Sequence, residues 1–232
     1  MMTSTADYIF DTGSSRIQEV ITEQAWMKKE DRQRLAAILD FVRNAIPFGM
    51  NKKGALPASA VLEQGFGQAV TKSILLKTLL DACGLLNRFH AFRVSKGLYA
   101  GLPGKMRYKA LPDTLISAWI EIFHQDRWYV VDGVLLDEPY LRGVERHIGE
   151  GRDEFIGLGA GIYPENRRHE WTGDNHSYCQ RAAIVRDLGI IDDPDWFFEE
   201  YRRDLRKLGR VASRHTNHII RSIRKTEKKD EG

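Results

Sequence analysis

The sequence predicts an α+β fold in which a central buried helix packs on an antiparallel sheet, with helices flanking it at the N- and C-terminal ends. Three observations predict it. Residues 68–83 carry an apolar face too wide for a surface helix. Residues 114–132 read as two strands around a short turn. The chain also runs helices first, strands in the middle and helices last, which favours helices segregated against one sheet over alternating parallel units.

The elements follow in order. Ser14 or Ser15 is placed to cap a first short helix over 16–26. Asp31 precedes a second helix, where Leu35, Ile38, Leu39 and Val42 recur at helical spacing. Pro47 and Gly49 end it. Ser59 is placed to cap the short helix SAVLEQ, which stops at Gly65. The central helix then spreads Ile74, Leu75, Leu76, Leu79, Leu80 and Ala82 around its circumference until Gly84. Residues 88–94 alternate as a strand, and 97–109 read as a loop. The segments 114–123 and 127–132 form a hairpin around His124, Gln125 and Asp126. A short helix is expected within 139–150 and irregular chain over 151–174. Asp193 and Pro194 open a helix carrying Trp196, Phe197 and Tyr201. A basic helix over 211–224 ends in a frayed tail.

Composition narrows the function classes. The 232 residues are 42% hydrophobic and 29% charged, as in ordinary soluble chains with a sizeable core. No run approaches the roughly 18 apolar residues of a membrane helix, and no basic-then-apolar leader opens the chain, so a cytoplasmic protein without a membrane span is expected. Cys83 lies on the apolar helix and reads as core; Cys179 reads as a free thiol. Neither stands at metal-ligand spacing, so neither metal nor cofactor is expected. The net charge of +3 is uneven: residues 201–232 hold 11 Lys/Arg against 4 Asp/Glu, and the rest 24 against 28. That basic tail lacks aromatic interleaving and any docking motif, so it reads as a solvated helix face, with no nucleic-acid partner expected.

Chemistry concentrates in three places. Gly65-Phe66-Gly67-Gln68-Ala69 opens the central helix, Ser117-Ala118-Trp119-Ile120-Glu121 starts the hairpin, and Trp128-Tyr129-Val130-Val131-Asp132 closes it. In this order they resemble the transglutaminase-like family of the papain-like thiol-enzyme superfamily. There a Cys begins the central helix, a His starts an H-[SA]-W-[VI]-E strand and an Asp ends the next strand. A prokaryotic subgroup is resembled further in residues 58–62, Thr71-Lys72, Arg88-Phe89-His90 and Trp171-Thr172-Gly173. The resemblance covers roughly residues 30 to 200 and implies a lead-in over 1–29, a transglutaminase-like domain over 30–200, and a basic helix and tail over 201–232.

Carried over residue by residue, the resemblance puts the nucleophile at Ala69, the base at Ser117 and the orienting acid at Asp132. A methyl group cannot attack a carbonyl, and a serine has no usable pKa near neutrality. Losing two members of such a unit leaves no thiol mechanism, and two losses rather than one point to a natural departure. His124 is the nearest imidazole, but it sits at the hairpin turn. Asp132 is expected as an acid or base in an emptied cavity, or as a structural acid bonded to Ser117 or backbone amides. Gln68, His90, Trp119 and Glu121 are expected to line the cavity, against plainer readings as core histidine, sheet packing or exposed sheet residue. Lys72 reads as salt-bridged or solvated. Three functions stay open. One is a repurposed protein that binds and transforms a small molecule by acid/base or electrostatic chemistry. The second is a pseudoenzyme that binds an acyl or peptide ligand or acts as a scaffold, and the third is an ordinary thiol protease or acyl-transfer enzyme seen here in an engineered form.

Overall fold

A computed structural model describes residues 4–148, 155–161 and 169–225. Four strands, β1 (Asn87–Ser95), β2 (Thr114–His124), β3 (Arg127–Val130) and β4 (Ile184–Ile190), form one antiparallel sheet in the order β3-β2-β1-β4. The β2–β3 hairpin turns through Gln125 and Asp126, both at positive φ (48° and 60°), the backbone twist that a two-residue turn needs to match its strands. The β1–β2 register sets His90 opposite Trp119 and Phe92 opposite Ser117. Arg88, His90, Phe92, Ser117, Trp119 and Glu121 therefore share one face of the sheet.

The expected central helix is α5 (Ala69–Ala82), buried without a break from Ala69 to Leu76. It packs on β2 and β1, and Ser73 Oγ donates to the Ala118 carbonyl at 3.2 Å. Behind it lie α3 (Asp31–Asp40), which continues through a π turn at Phe41–Ala45, and α4 (Ala58–Gln64). Gly65 ends α4 in the left-handed region at φ +68°. Two residues later a Cβ on Gly67 would lie 2.8 Å from Lys72 Cγ, so only glycine lets the chain pass α5 this closely.

The terminal segments share the core. Helix α1 (Thr5–Ile9) packs on α8 (Pro194–Glu200), and the Ala6 amide donates to Asp195 at 2.6 Å. Helix α2 (Ser15–Glu23) packs on α4. Toward the other end, α9 (Arg202–Leu208) lies near β2, and α10 (Arg214–Lys225) packs on α7 (Glu138–Ile148). A single apolar cluster runs from Ile9 to Ile223. No helix among the described residues is long and apolar enough to cross a membrane.

Several local expectations change. The helix over 16–26 stops at Glu23 and a 3-10 turn follows at Trp26–Lys28. Ser59 is no cap, because α4 starts at Ala58 with Pro57 in the capping position. The loop over 97–109 contains a 3-10 turn (Lys96–Tyr99) and helix α6 (Lys105–Lys109). Strand β4 and helices α1 and α9 were not expected. Helix α10 is more than a solvated face, since Thr216, Ile220 and Ile223 are buried. The expected irregular chain at 151–154 and 162–168 and the frayed tail at 226–232 lie outside the described residues.

Candidate functional site

Ala69 is the first residue of α5 and is buried. The residue before it caps the helix. Gln68 Oε1 accepts from the Val70 amide at 2.9 Å, its Nε2 donates to the Gly54 carbonyl at 3.0 Å, and its backbone amide donates to Thr71 Oγ1 at 3.0 Å. The Gln68 amide therefore points away from the site expected for it, because capping orphan helix donors claims it. The amides of Gln68 and Val70 are used internally as well, so neither is free to stabilise an oxyanion.

Asp132 follows β3 and is buried. Its Oδ2 accepts from the backbone amides of Cys179 (2.8 Å) and Gln180 (2.7 Å), and its Oδ1 accepts from Gln180 Nε2 at 2.7 Å. Burial raises its pKa above the ordinary carboxylate value, while these donors, arranged for the ionised form, pull the other way. Gln180 continues the chain of bonds, because its Oε1 accepts from Ser117 Oγ at 2.5 Å. Ser117 and Asp132 thus do not touch directly; the Gln180 side chain lies between them as an amide bridge.

Cys179 is the thiol nearest this centre. It is free and buried, and its Sγ donates to the Asp132 carbonyl at 3.1 Å. Burial and the neighbouring Asp132 push its pKa well up, the opposite of what a thiolate nucleophile requires. Cys83 is likewise free and buried.

Lys72, one turn into α5, is not solvated and forms no ion pair among the described residues. It is 1% exposed, and its ammonium donates to the carbonyls of Arg43 (3.2 Å) and Leu135 (3.0 Å). Burial lowers its pKa to about 7, with Asp137 opposing.

Ala69, Lys72, Trp119 and Asp132 border one cavity that leaves about 10 Å3 open to a water centre, the space of about one water. Of the side chains expected to line it, only Trp119 does. Gln68 is turned into the cap of α5, and His90 and Glu121 are held in an ion cluster on the sheet face. Glu121 Oε2 accepts from Arg88 (2.8 and 2.6 Å), its Oε1 meets His90 Nδ1 at 2.6 Å, and His90 Nε2 meets Asp187 at 2.6 Å. Glu121 is accordingly 7% exposed rather than an open sheet residue. With a carboxylate on each ring nitrogen, both nitrogens act as donors, the state of an imidazolium. Burial opposes that charge, but the bonds to Glu121 and Asp187 outweigh it and raise the His90 pKa; burial also opposes the Glu121 charge, yet His90 and Arg88 bring its pKa down to about 2. His124 packs edge-on against Trp171, with ring centroids 5.4 Å apart.

A second cavity of about 200 Å3 shares Val134 with the first and is bordered by Arg43, His169, Trp171 and Ser177. Burial lowers the His169 pKa to about 4. Among the described residues no cluster of His, Cys, Asp or Glu could hold a metal ion.

No protein-family model and no curated protein matches this chain.

Sequence reasoning picked out Ala69, Ser117 and Asp132 and missed Gln180, which joins two of them. The one available signal was its place next to Cys179.

Proposed function

We propose that this chain is a transglutaminase-like protein whose thiol site has become part of the structural core, and that it acts as a non-catalytic binding module. The observation that carries the reading is the Gln180 bridge. It occupies the space between the base and acid positions and satisfies both Ser117 and Asp132. The cavity beside Ala69 supports it too, since room for about one water admits no substrate. An acid held by three donors and closed off from ligands contributes to folding, not to proton transfer.

The reading in which the scaffold binds and transforms a small molecule draws on the neighbouring 200 Å3 cavity. There His169 Nδ1 and Trp171 Nε1 are buried without a hydrogen-bond partner among the described residues. Asp132 lies next to that cavity, since its amide donates to the Ser177 carbonyl at 3.1 Å.

One assay separates the two. The full chain and Asp132→Asn are compared on panels of activated esters and peptide amides, with circular dichroism as the control for folding. The binding-module reading expects no turnover above the variant. A rate that vanishes in a folded Asp132→Asn protein would overturn it in favour of acid/base chemistry.

A further inference from the structure

We infer that the groove between α10 and the segments at 47–50 and 65–66 binds a small organic anion, an oxyanion head on an apolar body. The groove is a cavity of about 380 Å3, within the ~300–1,000 Å3 of small-ligand pockets. It shares no lining residue with the cavity beside Ala69, so the inference stands apart from the reading given to Asp132.

The apolar body is matched by Phe48, Met50, Phe66 and Ile220. This wall is fixed. Phe66 lies on Gly49, where an added Cβ would come within 2.7 Å of its ring. Asn217 of α10 holds the opposite wall in place, accepting from the Met50 amide at 2.8 Å and donating to the Met50 carbonyl at 3.0 Å.

The head is matched by charge. Among the described residues four cationic side chains line the groove and no acidic one does. Arg224 is already committed, to Asp137 at 2.6 Å and to the Phe48 carbonyl. Arg214, Arg221 and Lys52 have no ion-pair or hydrogen-bond partner for their side chains among the described residues. Arg214 and Arg221 stand seven residues apart on the same face of α10, about 10 Å along its axis. An apolar floor rimmed by unpaired cations complements an amphiphilic anion and leaves a neutral ligand without its polar partner.

The test titrates the full chain by calorimetry with octanoate and octyl phosphate, with octanol and inorganic phosphate as controls. One of the two amphiphilic anions is expected to bind one-to-one and about ten-fold or more tighter than either control. The preferred head distinguishes a carboxylate from a phosphate ligand. Arg214→Gln with Arg221→Gln should weaken that binding about ten-fold or more with the unfolding midpoint unchanged. No binding by either anion, equal binding of octanol, or unchanged affinity in the double variant would each overturn the inference.

Discussion

Three N–H donors converge on Asp132, and one of them belongs to a side chain that also accepts the Ser117 hydroxyl. Gln180→Ala therefore strips two buried groups at once, a carboxylate oxygen and a hydroxyl, and leaves a void where the amide lay. The expected loss is about 2–4 kcal/mol in urea unfolding. Ser117→Ala removes only the outer end of the chain of bonds and should cost about 1 kcal/mol. The double variant should cost less than the two losses added, because the substitutions share one bond; strict additivity would refute the bridge. The place of Asp132 at the end of the hairpin was readable, because motif order places it. Gln180 was not. It stands 48 residues beyond Asp132, next to a stretch without periodicity, and only the folded chain brings its amide across. Gln68 is a related case. Its identity was readable, but its direction depended on the Gly54 carbonyl, which no local pattern announces.

At the level of elements, Gly143 tests how tightly α10 is docked. An added Cβ would stand 2.2 Å from the Ile223 carbonyl oxygen and 2.8 Å from its carbon. Two effects then compete for Gly143→Ala. Helix propensity alone favours alanine by about 1 kcal/mol, whereas forcing α7 from α10 costs about 1–3 kcal/mol. Contact with backbone cannot be relieved by a rotamer change, so a net loss is expected in thermal or urea unfolding. A gain would mean that the two helices can separate freely. The same contrast between local and tertiary causes explains which elements the sequence revealed. The hairpin was readable because two strand-like apolar segments flank a short polar turn. Strand β4 was not, because Arg186, Asp187 and Gly189 break its pattern, Gly189 lies at φ +80° and its pairing with β1 shifts register twice. It is a strand because β1 offers it an edge. The wide apolar face of α5 identified it as buried, since only a helix covered on most sides can carry one.

Ion pairs tie distant parts of the whole molecule together, and their titration sets how its stability follows pH. Arg224 joins α10 to Asp137 before α7, Arg93 joins β1 to Asp204 on α9, and His90 joins β1 to Asp187 on β4. The His90 pKa is raised by folding, so its contribution is complete below 6.5 and fades as pH climbs through the folded value. Glu121 works in the acid range: its contribution is present above 4.5 and fades as pH falls toward about 2. Lys72 has the opposite sense to His90. Its pKa falls from 10.5 to about 7 on folding, so between those values the unfolded chain holds the extra proton and stability rises with pH. Because His90 offsets this rise, the wild-type profile alone cannot isolate it. Comparison with Lys72→Met can, since methionine fills similar volume without a charge and breaks no carboxylate pair. Across pH 7.5 to 9.5 the wild type should gain on the variant by up to about 1.4 kcal/mol per pH unit, the limit for one proton, measured by urea unfolding at each pH. Well below pH 7 the two curves should run parallel, because Lys72 is charged in both states there. Parallel curves above pH 7 would mean that the ammonium keeps its ordinary pKa inside the core, and the burial that closes the Ala69 cavity would have to be less complete than its geometry implies.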